Sequence, residues 1–170
     1  PNIVLNMLYK YTSLQSSFSV NNIALVNGRP ELLNLKQLIG HFIDHRHEVV
    51  VRRTTFELKK AEERAHILQG MIIASDNIDE VIALIKASSN AEEARQKLIA
   101  KFSLSEVQAK AIVEMRLRQL TGLEQDKLRA EYDELLSTIE DLKDILDNKD
   151  RRMGIIKTET NHVVEKYGDD

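Results

Sequence analysis

"HFIDHRHEVVVRRTTFELKKAEERAHILQG", residues 41–70, holds four of the chain's five histidines and a knot of arginines, with no proline and no internal glycine. Three readings compete for it: a metal site, a nucleic-acid grip, or a long helical strut. Periodicity favours the strut. Leu35, Phe42, Val49 and Phe56 recur at every seventh position, and Leu58, Ala61, Ala65, Leu68 and Ile72 then follow 3,4 spacing. The pattern predicts a helix from about Leu35 to Ser75, roughly 60 Å long at 1.5 Å per residue. A helix of that length outruns an ordinary globular core and calls for a long partner.

The partner lies at the other end of the chain. Alternate steps of four and three from Leu128 reach Tyr132, Leu135, Ile139, Leu142, Leu146, Lys149, Met153, Ile156, Thr160, Val163 and Tyr167. Ten of these twelve positions are apolar or aromatic, the signature of a coiled-coil seam. Antiparallel pairing would bring residues near 52 opposite residues near 145. Arg46 to Arg64 carries six bases against four acids, and Glu124 to Asp150 carries ten acids against four bases, so the two stretches complement each other.

Between the arms, residues 76–122 read as three short helices. Asn77 with Glu80, Asn90 with Glu93, and Ser105 with Gln108 have capping-box spacing, and Thr121 with Glu124 repeats it where the returning arm begins. The third helix, "EVQAKAIVEMRLRQL", carries two apolar stripes: Val107, Ala111, Ile112 and Met115 on one side, Ala109, Val113, Leu117 and Leu120 on the other. Two stripes imply burial on both sides, one against the head's own core and one against something else, for which another subunit is a candidate in so small a head. Upstream, a short helix runs through about Tyr11. Asn27-Gly28 between apolar runs then predicts a type I′ hairpin near 18–34, because that turn needs positive φ at both central residues.

The fold class expected is therefore mainly α: a long antiparallel coiled coil carrying a small helical head, with one short β-hairpin near the N-terminus. The parts are 1–34, 35–75, 76–122 and 123–170. Composition agrees, with 5% aromatic residues, no tryptophan, 6 glycines and 2 prolines among 170 residues. No apolar run is long enough to span a membrane. The absence of cysteine excludes disulfides and thiolate metal sites and suits a cytoplasmic protein. A start at Pro1 rather than methionine suggests a piece of something larger.

Candidate chemistry is sparse. His41, His45 and Glu48 share a helix face, but Phe42 stands where a metalloprotease H-E-x-x-H motif needs glutamate, and Arg46, Arg52 and Arg53 nearby disfavour a cation. The basic cluster of Arg46, Arg52, Arg53, Lys59 and Lys60 is diluted by interleaved acids and has no aromatic platform for nucleic acid. A net charge of −3 adds no general attraction for phosphate. The glycines are scattered and form no phosphate-binding loop. The residues describe a mechanical or interaction element with no catalytic, cofactor or metal site of its own.

Five blocks, "LYKYTSLQSSFSVNNIALVNGRPELLNLKQLI", "HFIDHRHEVVVRRTTFELKKAEERAHILQG", "NIDEVIALIKAS", "LSEVQAKAIVEMRLRQLTGLE" and "EKYGDD", resemble in order the A subunits of bacterial DNA gyrase, a family of type II topoisomerases. The likeness runs through essentially the whole chain. The paralogous A-type subunit of topoisomerase IV is the nearest competitor, and "LQSSF", "LTGLE" and "EKYGD" favour gyrase. A freestanding coiled-coil adaptor is the alternative from another class.

The resemblance implies that residues 1–34 end a tower domain, that the arms form a coiled coil, and that two heads meet as a dimeric exit gate, the C-gate. Val113, Met115, Leu117 and Leu120 are then the candidate dimer contact, and Arg46, Arg52 and Arg53 the candidate DNA-proximal bases. Some members carry a large insertion before "SEVQAKAI"; its absence implies a compact head. The holoenzyme implied is an ATP-hydrolysing isomerase of A2B2 composition acting on double-stranded DNA, with ATP and Mg2+ on the B subunit. The family's DNA-attacking tyrosine follows an arginine, whereas the tyrosines here follow Leu8, Lys10, Glu131 and Lys166. By resemblance the nucleophile lies upstream, and this stretch alone is inactive.

Overall fold

The computed structural model describes residues 2–169, the side chains of Leu117 and Leu120 excepted. Among these residues the protein is mainly α, with seven helices and one two-stranded antiparallel hairpin. Contacts divide the chain into two compact units, 1–46 and 47–170, and the boundary falls inside one long helix.

The first unit begins with α1 (Asn2–Tyr11), none of whose residues is buried. Strands β1 (Ile23–Val26) and β2 (Arg29–Leu32) pair in the register Val26 with Arg29 through Ile23 with Leu32. The two-residue loop is the expected one: Asn27 and Gly28 both take positive φ, 50° and 78°. Leu33 is buried, and Asn34 then starts α2 (Leu35–Asp76) with a reciprocal box. Gln37 N–H donates to Asn34 Oδ1 at 2.9 Å and Asn34 N–H to Gln37 Oε1 at 3.0 Å.

In the second unit the remainder of α2 runs against α6 (Gly122–Asp147). Ala61 and Ala65 share a core with Ile139, Leu142 and Ile145, flanked by Leu58, Tyr132, Leu135 and Ile155. Ion pairs fix the sense as antiparallel: Asp76 with Arg129, Arg64 with Glu131 at 2.7 Å, and Glu62 with Lys143 at 3.0 Å. The buried stripe of α2 departs from the sevenfold set read in the sequence. Val50 and Thr54 are buried, whereas Phe56, expected on the seam, is exposed. A straight helix of 3.6 residues per turn drifts by about 20° per heptad, so one strict seven-residue register cannot hold its whole length.

The head consists of α3 (Ile78–Lys86), α4 (Ala91–Phe102) and α5 (Glu106–Val113), followed by a 3₁₀ turn at Leu117–Leu120. Its core is Ala74, Val81, Leu98, Leu104, Ala109 and Ile112. Ser105 and Gln108 form the full box expected, and Asn90 Oδ1 accepts from Glu93 N–H at 2.8 Å. The Asn90 box is only half made, because the Glu93 carboxylate accepts from Ser89 N–H, and the other two do not form. Asn77 turns back to donate to Ile73 O, and the Thr121 hydroxyl donates to Arg118 O. Both side chains find carbonyls of the preceding turn instead of amides of the following one.

Two further expectations are corrected. The third head helix does not continue to Leu120 but ends at Val113. A continuous helix would spread Ile112, Val113 and Met115 over about 160° of its surface; the break lets all three pack against one core. Gln119 Oε1 then accepts from Arg116 N–H at 2.8 Å and opens the 3₁₀ turn. The returning arm is likewise two helices, α6 and α7 (Lys149–Tyr167), separated at Asn148. Asn148 has φ −106° and ψ 108°, and its side chain accepts from the amides of Asp150 and Arg151, so the chain restarts as a newly capped helix.

Candidate interaction site

The sequence-predicted contact residues lie on both sides of the break after α5. Val113 closes that helix, Met115 sits in the bend, and both pack, partly buried, against the head core. Leu117 and Leu120 belong to the 3₁₀ turn, and their side chains lie outside the described residues. The four are therefore not one stripe on one helix. Val113 and Met115 do share a feature: with Ile78, Ile82 and Ile85 of α3 they line an apolar cavity of about 280 Å³, with Lys86 also in its wall. Ile82 remains 36% exposed. On α5 the other apolar residue offered to solvent is Val107, 56% exposed.

Besides Ala74 in the shared core, the head meets the long helix through a polar contact that sequence reasoning missed. Gln108 is buried on α5; its Nε2 donates to the main-chain oxygen of His66 at 2.7 Å, and its Oε1 accepts from Ser105 N–H at 3.0 Å. Ser105 Oγ lies 2.7 Å from His66 Nε2. A single amide thus caps α5 and ties it to α2. The approach is close because Gly70 has no side chain: a Cβ there would meet Gln108 Cβ at 2.7 Å. The available signal was a glycine kept inside a helix, where alanine is favoured by about 1 kcal/mol.

The basic residues divide. Arg52 pairs along its own helix with Glu48 at 3.7 Å, and Arg53 donates to Glu159 of α7 at 2.7 Å. Arg46 is half-buried. The acidic side chains of α6 do not all face the basic stretch of α2. Asp141 and Asp144 instead engage Arg151 of α7, and those two hydrogen bonds, Asp141's first, hold its guanidinium above its ordinary pKa. Charge pairing between the arms is mixed in sign, as Glu62 with Lys143 and Asp76 with Arg129 show. Among the described residues, no group of three or more histidine or acidic side chains is gathered that could hold a metal ion, and no helix is long and apolar enough to cross a membrane.

Fold and site define a class: a mainly α protein in which a long antiparallel helix pair carries a small helical head with an open apolar groove. Comparison with known proteins gives this element its family. Residues 1–161 match the family described as the A subunit of DNA gyrase/topoisomerase IV. The chain is 52% identical over all 170 residues to the DNA gyrase A subunit of Ureaplasma parvum, covering 20% of that protein. It is 52% identical over 169 residues to that of Clostridium acetobutylicum and 53% over 168 to that of Fibrobacter succinogenes, covering 20% and 19% of them. The chain belongs to the family of gyrase and topoisomerase IV A subunits, and it spans about a fifth of the length of the curated relatives it matches.

Proposed function

We propose that this chain is the exit-gate region of a gyrase A subunit. Residues 1–34 end the tower domain, 35–75 and 123–170 form the coiled-coil arms, and 76–122 form the globule that meets a second copy. The contact runs through Val113, Met115, Leu117 and Leu120, with Arg46, Arg52 and Arg53 on the side nearer the DNA. The observation that carries this reading is the groove between α3 and α5, lined by Val113 and Met115 and left open at Ile82. An apolar groove at the end of a long helix pair suits a self-complementary contact on a two-fold axis. The gyrase assignment over topoisomerase IV is supported by the name its relatives carry.

In this reading the region is non-catalytic. The whole A subunit supplies a DNA-attacking tyrosine from upstream and assembles with B subunits, which hold ATP and Mg2+, as a cytoplasmic A2B2 enzyme. That enzyme changes DNA supercoiling by passing one duplex through a break in another. The heads keep the cleaved complex together and part to release the transported duplex.

Equilibrium sedimentation of the chain over micromolar concentrations tests the contact. The expected mass is twice 19.5 kDa. Leu120→Glu and Ile82→Glu should each shift it towards the monomer, because a charge buried in an apolar contact is strongly unfavourable. A strict monomer for the unaltered chain removes the claim that these residues suffice to close a gate.

A further inference from the structure

Two charges of opposite sign stand at the groove between α3 and α5. Lys86, the last residue of α3, is exposed in the groove wall, and its ammonium makes no ion pair among the described residues. Glu114 stands between Val113 and Met115, which line the same groove. Its exposed carboxylate makes no ion pair among the described residues either, neither with Lys110, one turn before it, nor with Arg116, two residues after. Elsewhere in the head, charges are engaged: Lys101 pairs with Glu80, Lys97 with Glu93 and Arg95 with Glu92.

Position makes Glu114 the more telling of the two. It is the C-cap of α5, with φ −83° and ψ −1°, where a helix carries partial negative charge. A lysine suits the end of a helix and a carboxylate does not, so Lys86 is well placed in its own chain, whereas Glu114 calls for a cation from outside. We infer that the two are partners across the head-to-head contact: Lys86 of each copy meets Glu114 of the partner subunit. This rests on the reading of the groove as the contact with a second copy, and it adds what sets the register of that contact.

Symmetry doubles the effect. In a two-fold contact, if one residue touches another, the same pair forms again with the roles exchanged, so one cation and one anion beside a groove supply two ion pairs. The apolar lining alone would accept a facing surface at many offsets. Charges beside it penalise every offset that leaves them unmatched or sets like against like, which gives specificity more than raw affinity.

Equilibrium sedimentation of the 170-residue chain compares Lys86→Glu, Glu114→Lys and the double variant with the unaltered protein. Native mass spectrometry of one single variant, isotope-labelled and mixed with the other, detects heterodimers. Each single variant sets like charges together at both contacts, so its dissociation constant should rise by at least about ten-fold. Glu114→Lys also removes an anion from a helix C-terminus, so its loss of association does not come from a weakened α5. Mixed, the two single variants restore opposite charges at both contacts, and heterodimers should form about as tightly as the unaltered dimer. The double variant should dimerise with itself equally well. Rescue in the double variant without rescue on mixing would place the pair within one chain and overturns the inference. A dimeric unaltered chain whose single variants associate as it does also overturns the pairing and leaves the gate reading standing; a monomeric unaltered chain removes both.

Discussion

Two stretches of similar apolar content end in opposite states. In residues 1–46 the large apolar side chains are almost all exposed, Phe18 at 90% and Leu25 at 75%, and Leu33 alone is buried among those described. In residues 47–170, Leu68 and Leu98 are fully buried, and two clusters organise the long helices and the head. The first unit is built by local rules: an Asn-Gly turn, a ten-residue helix, a capping box at Asn34. The second is built by burial. A backbone can be specified locally without a core, but burial is what gives an individual side chain a large energetic role.

The sharpest way to break this contrast is to delete the same group in each unit. Leu98→Ala should lower the unfolding free energy by about 2–5 kcal/mol, the cost of an unfilled cavity in a packed core. Leu25→Ala, on an exposed strand face, should stay within about 0.5 kcal/mol. Urea unfolding followed by circular dichroism measures both. A Leu25 effect matching that of Leu98 would mean that the hairpin face is covered in solution.

Glycines sharpen the comparison within the second unit. Gly70→Ala should destabilise by about 1–3 kcal/mol, because its Cβ would press on Gln108 in a packed joint. Gly154→Ala in α7 meets nothing within 4 Å, so it should stabilise by about 0.5–1 kcal/mol through helix propensity alone. The opposite signs, read by thermal unfolding, separate close approach from mere conformational freedom. A gain at Gly70 would show that Gln108 moves aside freely and that the head is not held as described.

What was legible in the sequence follows the same division. The hairpin could be read because Asn27-Gly28 specifies its own turn. The extent of α2 could be read because its apolar repeat is long and uninterrupted. The end of α5 could not, because Lys110 to Leu120 contains no proline or glycine; the chain bends there to bring Ile112, Val113 and Met115 to one core, a tertiary demand. The break at Asn148 was hidden by a seam pattern that continues across it, although an asparagine that can cap was in view. Of the candidate contact residues, Val113 and Met115 come together at one groove, but through a bend rather than along a helix face. The tie between Gln108 and His66 left one trace in the sequence, Gly70 inside a helix, but that glycine does not name its partner, since the two tied residues lie 42 apart.

The smallest expected effect lies at the start of α4, where local rules operate inside the unit built by burial. Glu93 accepts from Lys97 Nζ at 2.7 Å and from Ser89 N–H at 2.8 Å. These bonds, Lys97's first, lower its pKa from 4.5 to about 2. A depressed carboxyl contributes stability that is present above its ordinary pKa and lost as pH falls towards the folded value. The start of α4 should therefore stay closed at about pH 4 and open progressively towards about pH 2, with Ser89 N–H as the reporter. Because Glu93 is solvent-accessible, screening keeps the effect local and the global transition should hardly move. Carboxyl carbon shifts of Glu93 against pH, with Glu93→Gln as the variant in which Ser89 no longer responds to acid, measure it directly. A midpoint at 4.5 would mean that Lys97 and Ser89 do not hold the carboxylate in solution, and that even this short-range clamp depends on packing the first unit lacks.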